Sequence, residues 1–256
     1  MIISDRLAQL VRSRQPACGF WINLTDPGIA EIAAIAGYDW IMIDTEHNPI
    51  TESEVQAMLY AVAGFPTTPV VRIRSNRDEH VKWVLDAGAG GIIVPSLRDA
   101  ADAREAVAIC KYHPLGRRGF GPNRASGFWS NADYVKTANE RVLVVGQVEL
   151  ASAVNDVDAI CEIAGLDAIW IGPGDLAQSL GYPERPDHPE VCAAIDRIIH
   201  AAIAHKMPWG IPTASAVDYQ RYVARGAVLM TLGSDTRLLR AGTVSLVASV
   251  NTPPSK

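Results

Sequence analysis

Aromatic residues make up only 7% of these 256 residues, and no apolar run is long enough to cross a bilayer. A membrane span needs roughly 18 apolar residues in succession, and the longest clean runs here are about half that. An excess of positive charge is also missing. The formal net charge of -5 leaves no basic footprint for nucleic acid. The four cysteines (Cys18, Cys110, Cys161 and Cys192) are far apart and form no CxxC pair, which argues against a zinc knuckle or a disulfide framework. Buried thiols in a reducing cytosol are the expectation. The opening MIISDRLAQLVRSRQ alternates at helical spacing and has no signal-peptide core, so the expected location is the cytoplasm.

What is present is a 48% hydrophobic chain that alternates short β-rich runs with longer amphipathic segments to its end. The strand-like runs are Gly19–Leu24, Trp40–Asp44, Val70–Ile73, Gly91–Pro95, Val142–Val148, Ala168–Ile171, Trp209–Pro212 and Val228–Leu232. They are nearly continuous in apolar residues, as parallel strands buried on both faces are. The helix-like segment Pro189–Lys206 carries one apolar stripe through Val191, Ile195, Ile198, Ile199, Ala202 and Ile203, and Ala151–Ala164 behaves similarly. Eight β–α units in about 250 residues match a (β/α)₈ TIM barrel, an α/β fold, as one domain over residues 1–256 with a frayed tail at 251–256. An open doubly wound sheet is the runner-up. Its usual glycine-rich turn is missing after the first strand, where Leu24-Thr25-Asp26-Pro27-Gly28 stands. A long irregular stretch from Tyr112 to Ser130 reads as a functional or interface loop.

Active sites of such barrels lie at the C-terminal ends of the strands. Strand two ends in Asp44-Thr45-Glu46-His47, strand three carries Arg72, strand five ends in Gln147-Val148-Glu149, and strand six runs into Gly172-Pro173-Gly174-Asp175. Glu149 and Asp175 lie one β–α repeat apart. Two carboxylates without nitrogen or sulfur partners suit a hard divalent ion that keeps exchangeable waters. Helix capping is the competing reading for each taken singly. Arg72, in an apolar run, needs an anion or an enolate oxygen, and an ion pair with Glu149 or Asp44 is its alternative. His47 follows Asp44 by three residues and is expected to act as a general base whose tautomer that carboxylate fixes. Gly172-Pro173-Gly174-Asp175 places helix-opening amides where a carboxylate can bind.

The segments Gly19-Phe20-Trp21, Asp44-Thr45-Glu46-His47, Val71-Arg72, Val94-Pro95, Gly116-Arg117-Arg118-Gly119-Phe120-Gly121, Gln147-Val148-Glu149 and Gly172-Pro173-Gly174-Asp175-Leu176 resemble the HpcH/HpaI type of metal-dependent pyruvate aldolases. The resemblance runs from about Gly19 to Gly233. It implies a barrel of the phosphoenolpyruvate/pyruvate-domain type and a homohexamer, a trimer of dimers. It also implies a divalent metal (Mg²⁺, Mn²⁺ or Co²⁺) on Glu149 and Asp175. Arg72 would stabilise the enolate oxygen, His47 and Asp44 would handle protons, and the amides of Gly174 and Asp175 would hold the substrate carboxylate. Trp21, Gln147, Pro173, Ser96 and Ile211 would complete the substrate site. The implied reaction forms or cleaves 4-hydroxy-2-oxo acids, giving pyruvate or a close 2-oxo acid plus an aldehyde. No lysine stands at a strand end, against a Schiff-base aldolase.

Three departures from the family pattern, Ser96, Gly127 and Trp209, bear on the aldehyde side, so the aldehyde is left unnamed. Two other functions are weighed. A citrate-lyase-like CoA-ester lyase would need a basic surface for the CoA phosphates, and only Arg117, Arg118 and Arg124 offer one. A non-catalytic keto-acid-binding barrel would have lost a ligand or base, and all are present.

Overall fold

The structure, a computed structural model, describes residues 4–251. Helix α1 (Arg6–Arg12) precedes β1 (Ala17–Ile22), α2 (Pro27–Ile35), β2 (Trp40–Asp44), α3 (Glu52–Ala61), β3 (Thr68–Arg72), α4 (Asp78–Asp86), β4 (Gly91–Val94) and α5 (Ala100–Cys110). The second half runs α6 (Tyr134–Arg141), β5 (Leu143–Val148), α7 (Ala151–Asn155), α8 (Val157–Cys161), β6 (Ala168–Ile171), α9 (Pro173–Ser179), α10 (Pro189–Ala204), β7 (Trp209–Thr213), α11 (Ala216–Ala224), β8 (Leu229–Ser234) and α12 (Asp235–Asn251). The strands are parallel and close into a barrel in chain order, β8 pairing with β1. This is the expected TIM barrel. No helix among the described residues is long and apolar enough to cross a membrane.

The continuous apolar strands supply two cores at once. Ile41, Ile43, Val71, Ile92, Val144, Ile169, Trp209 and Ile211 face the helix layer and pack in the larger cluster. Alternate residues face inward: Trp40, Met42, Val70, Ile93, Leu143, Val145, Ala168 and Trp170 fill the barrel, and Leu7, Ala8 and Val11 of α1 close its floor. Trp40 and Trp170 meet edge to face at 5.6 Å between ring centroids. Continuing the inward parity upward from this apolar plug gives Asp44 after Met42, Arg72 after Val70, and Gln147 and Glu149 after Val145. The fold thus lifts polar side chains onto a dry platform.

Three local expectations need correcting. The first strand starts at Ala17 and ends at Ile22, because Asn23 and Leu24 leave the sheet to donate their amides to the Asp235 carboxylate. The stretch 151–164 is two short helices meeting at Asp156, whose carboxylate accepts the Ala100 amide of α5 at 2.7 Å. The Tyr112–Ser130 loop is pinned from inside. Arg118 pairs with Asp86 and stacks on Tyr112, while Arg124 donates to the carbonyls of Ala87 and Leu59. Those anchors sit at the C-terminal ends of α3 and α4, so within one chain this loop, Gly127 included, lies at the barrel end away from the strand C-termini. The expected frayed tail falls outside the described residues from position 252 on.

Gly19 shows how tight the floor is, since a Cβ there would overlap the Trp40 indole. Gly19→Ala is expected to cost about 1–3 kcal/mol by overpacking, read as a lowered urea midpoint with unchanged m-value.

Candidate active site

The register of β2 against β3 sets Asp44 beside Arg72. Both side chains are buried, at 1% and 3% exposure. Arg72 grips the carboxylate with two bonds, Nε to Oδ1 at 3.0 Å and Nη2 to Oδ2 at 2.7 Å. Asp44 also accepts the amides of Glu46 and His47, the Trp21 indole N–H at 3.3 Å and the Asn48 amide at 2.8 Å. Burial alone would push this carboxyl up. The Arg72 bonds and charge, with the Glu46 and Trp21 donors, outweigh it and hold Asp44 below the ordinary carboxylate range.

The expected contact of Asp44 with the His47 ring is not made; Asp44 reaches only the His47 backbone. The imidazole is half exposed, and the carboxylate near it is Glu46, with Oε2 3.6 Å from Nε2. Parity is the reason. Asp44 points inward beneath Arg72, whereas His47 stands past the strand end. Glu46 also approaches Arg72 Nη1 at 3.1 Å. Burial raises Glu46, Arg72 offsets part of the rise, and Glu149 adds to it, leaving the group pushed up to about 7.

Glu149 is buried beneath the rim, with both oxygens held. Ser96 donates its N–H (2.8 Å) and Oγ–H (3.1 Å) to Oε1, and Gln147 Nε2 donates to Oε2. Ser96 adopts the left-handed region, φ 55°, to aim its amide there. Such a backbone in a non-glycine residue persists only where its surroundings hold it. Burial and the charge of Asp175 raise the Glu149 carboxyl. A Cβ at Gly172 would stand 2.5 Å from Glu149 Oε2, so the rim requires glycine there. The buried Oε1 of Gln147 has no partner. Two carboxylates repelling one another beside an orphaned amide oxygen form an all-oxygen donor set that fits a hard divalent cation.

Trp21, Asp44, His47, Arg72, Gln147, Pro173, Gly174 and Asp175 line one cavity of about 590 Å³, which extends past Asn23, Asn48, Ser234 and Thr236 to Arg237 and Leu238. Ser96 instead lines the neighbouring cavity with Arg74 and Arg98. Ile211 does not line the site; it packs in the outer cluster, and Pro212 and Thr213 take its place on the wall. Trp209 likewise turns outward, edge-on to Tyr222, so its bulk does not reach the cavity. Sequence reasoning missed Asn23, Asn48, Ser234, Thr236 and Arg237. The rule that found the others, a search for polar residues just past each strand, would have reached them if applied to β1 and β8 and carried one residue further past β2.

A rim cavity on a closed eightfold barrel, lined by an arginine, a histidine and carboxylates, marks the class of barrel enzymes. Residues 17–241 match the HpcH/HpaI aldolase/citrate lyase family, and the chain belongs to it. A 4-hydroxy-2-oxo-heptane-1,7-dioate aldolase of Salmonella dublin is 38% identical over 241 residues, covering 93% of this chain and 91% of that one. An HpcH/HpaI aldolase/citrate lyase family protein of Burkholderia cenocepacia superposes with TM-score 0.92 at 34% identity, covering 97% of this chain and all of that one. The HpcH/HpaI aldolase of Desulfitobacterium hafniense gives TM-score 0.92 at 30% identity, covering 99% of this chain and 98% of that one. The protein is a lyase of the aldolase type acting on small molecules.

Asp44→Asn would leave Arg72 buried without its main counter-charge, at an expected cost of roughly 3–5 kcal/mol. The folded carboxyl titrates below its unfolded value of about 3.9. Its stabilisation is therefore full above that value and is lost as pH falls toward the folded pKa. Urea midpoints taken between pH 6 and 3 should decline less steeply at the acid end in the Asp44→Asn protein than in the parent.

Proposed function

We propose that this chain reversibly cleaves 4-hydroxy-2-oxo acids, the compound class named for its Salmonella relative, to pyruvate or a close 2-oxo acid and an aldehyde. The observation that carries this is the meeting of Arg72, His47 and Asp175 at one cavity on the rim, with Glu149 buried behind its wall and bonded to Gln147 of that wall. Glu149 and Asp175 would hold the divalent ion (Mg²⁺, Mn²⁺ or Co²⁺). When bound, it supplies a Lewis acid for the 2-oxo and carboxylate oxygens of the donor.

The protein's own groups do the rest. Asp44 and Glu46 fix the Arg72 plane, leaving N–H donors on Nη1 and Nη2 for the 2-oxo oxygen as it gains charge. His47 takes the proton of the C4 hydroxyl. The C3–C4 bond then breaks, the aldehyde departs, and the electron pair passes into the enolate, which a proton at C3 converts to the 2-oxo acid. Trp21, fixed by its bond to Asp44, Gln147, and the Pro173–Gly174 turn bound the donor end. Apart from its contact with Glu149, Ser96 stands outside this wall.

The thioester reading loses its support, because Arg117 is paired with Glu105 and Arg118 and Arg124 are buried on protein partners. A homohexamer, a trimer of dimers, is the assembly we expect. The exposed apolar face of α12, with Leu239, Leu246, Val247 and Val250 each more than half exposed, supports association. Four unpaired cysteines support a reducing cytoplasm as the compartment.

Pyruvate incubated in D₂O with Mn²⁺ should exchange its methyl protons, read by NMR, and EDTA should stop the exchange. No exchange with any of the three metals, from pyruvate or hydroxypyruvate, would sink the reading. His47→Ala should slow aldol turnover by about 10²–10⁴-fold while leaving Mn²⁺ affinity nearly intact. Asp175→Ala should lose both, as calorimetric metal titration and steady-state kinetics will show.

A further inference from the structure

Glu149 is buried between two cavities and lines neither. On one side Gln147, which lines the 590 Å³ cavity of the rim, donates to Oε2. On the other Ser96, which lines a second cavity of about 330 Å³, donates twice to Oε1. Gly172 marks the same division. It lines the rim cavity, and the point where a Cβ would stand on it is 2.5 Å from Oε2. Oε2 is therefore the oxygen at the rim, and Oε1 is turned to the back.

The turn after β4 is built to keep Ser96 in that place. Pro95 and Leu97 on either side are buried, and the Leu97 amide donates to the Gln147 carbonyl at 3.3 Å, which ties the turn to β5. Ser96 itself sits at φ 55°. Glycine takes that conformation at no steric cost, whereas a serine there carries strain. What serine adds over glycine is the hydroxyl, and the hydroxyl is spent on Glu149 Oε1 at 3.1 Å. The carboxylates of the second cavity are engaged elsewhere, Asp102 by Arg98 and Glu105 by Arg117.

An ionised carboxylate offers about four lone pairs, half of them on each oxygen. The two bonds from Ser96 fill Oε1, and the bond from Gln147 takes one place on Oε2. One lone pair remains, on the oxygen at the rim. We propose that Ser96 is a positioning residue for the metal site: by saturating Oε1 it confines Glu149 to binding through one oxygen, and so selects against calcium. The inference rests on the reading above that puts a divalent ion on Glu149 and Asp175. Calcium takes roughly six to eight oxygens and gains from a carboxylate that offers both of its own. A smaller octahedral ion such as Mg²⁺ or Mn²⁺ is served by one carboxylate oxygen and retained waters.

The test is calorimetric titration of the full-length protein, stripped with EDTA and dialysed, with Mn²⁺ and separately with Ca²⁺. Wild type, Ser96→Ala, Ser96→Gly and Asp175→Ala are compared. Both serine variants keep the backbone amide and lose the hydroxyl, which frees one place on Oε1, and the glycine variant does so without strain. Wild type should bind Ca²⁺ more weakly than Mn²⁺. In both serine variants the ratio of the Ca²⁺ Kd to the Mn²⁺ Kd should fall by about tenfold, through tighter Ca²⁺ binding. A loss of stability alone would weaken both ions together and leave the ratio where it was. A ratio unchanged in both variants while Mn²⁺ still binds would overturn the assignment and leave the metal site standing. So would a fall in Ser96→Ala that Ser96→Gly does not share, since backbone strain and not the hydroxyl would then be its cause. Equal affinity for the two ions in wild type would overturn it as well. Mn²⁺ binding that is absent in wild type, or that survives Asp175→Ala, would remove the metal site itself, and the role of Ser96 with it.

Discussion

The buried pair between Asp44 and Arg72 is the constraint on which the rest of the rim depends. An arginine inside a parallel barrel is tolerable only with a counter-charge on the neighbouring strand, and the β2–β3 register supplies it. The pair is then saturated. The four further donors to Asp44 come from β1 and from the segment after β2. Desolvating two charges brings little net stability. What it achieves is position: three consecutive elements are tied to one carboxylate, and the guanidinium is held flat with donors to spare.

Around that pair the balance of charge is uneven. Asp44, Glu46, Glu149 and Asp175 stand against one arginine when His47 is neutral. The raised titration of Glu46 and of Glu149 reflects this surplus as well as burial. A divalent cation on Glu149 and Asp175 would relieve part of that surplus. Glu46 is the member whose part is least visible in the sequence. It lies between the imidazole and the guanidinium and feels both, while Asp44 serves the arginine.

The fold is legible in the sequence because parallel strands buried on both faces write themselves as apolar runs, and all eight such runs are strands. The same property hides their parity. A run such as Trp209-Gly210-Ile211-Pro212 does not say which residues face inward, and Pro212 occupies the wall where Ile211 is expected. Polar residues announce themselves where they interrupt a run, as Arg72 does, or close one, as Asp44 and Glu149 do. Long-range bonds leave no such mark. Asp156 breaks a periodic segment to cap a distant helix, and Asp235 draws Asn23 out of the first strand. Neither partner is near in sequence. The loop arginines are hidden for the same reason, since anchoring to Asp86 and Ala87 sends that loop to the opposite end of the barrel.

These bonds also join the two ends of the cavity. Asn48 bridges Asp44 and Asn23, and Asn23 reaches Asp235, so a polar chain runs from the arginine clamp to the head of α12. Along it the degree of commitment changes. At the donor end Arg72, Asp44 and Glu149 are held by several partners each, and altering one strands another. Beyond Asp235 the side chains of Thr236 and Arg237 are exposed and have few bonds. Substitution there disturbs little of the fold, whereas substitution at the clamp disturbs all of it. A barrel built this way can keep one end fixed and vary the other, because rigidity and variability occupy opposite ends of the same cavity.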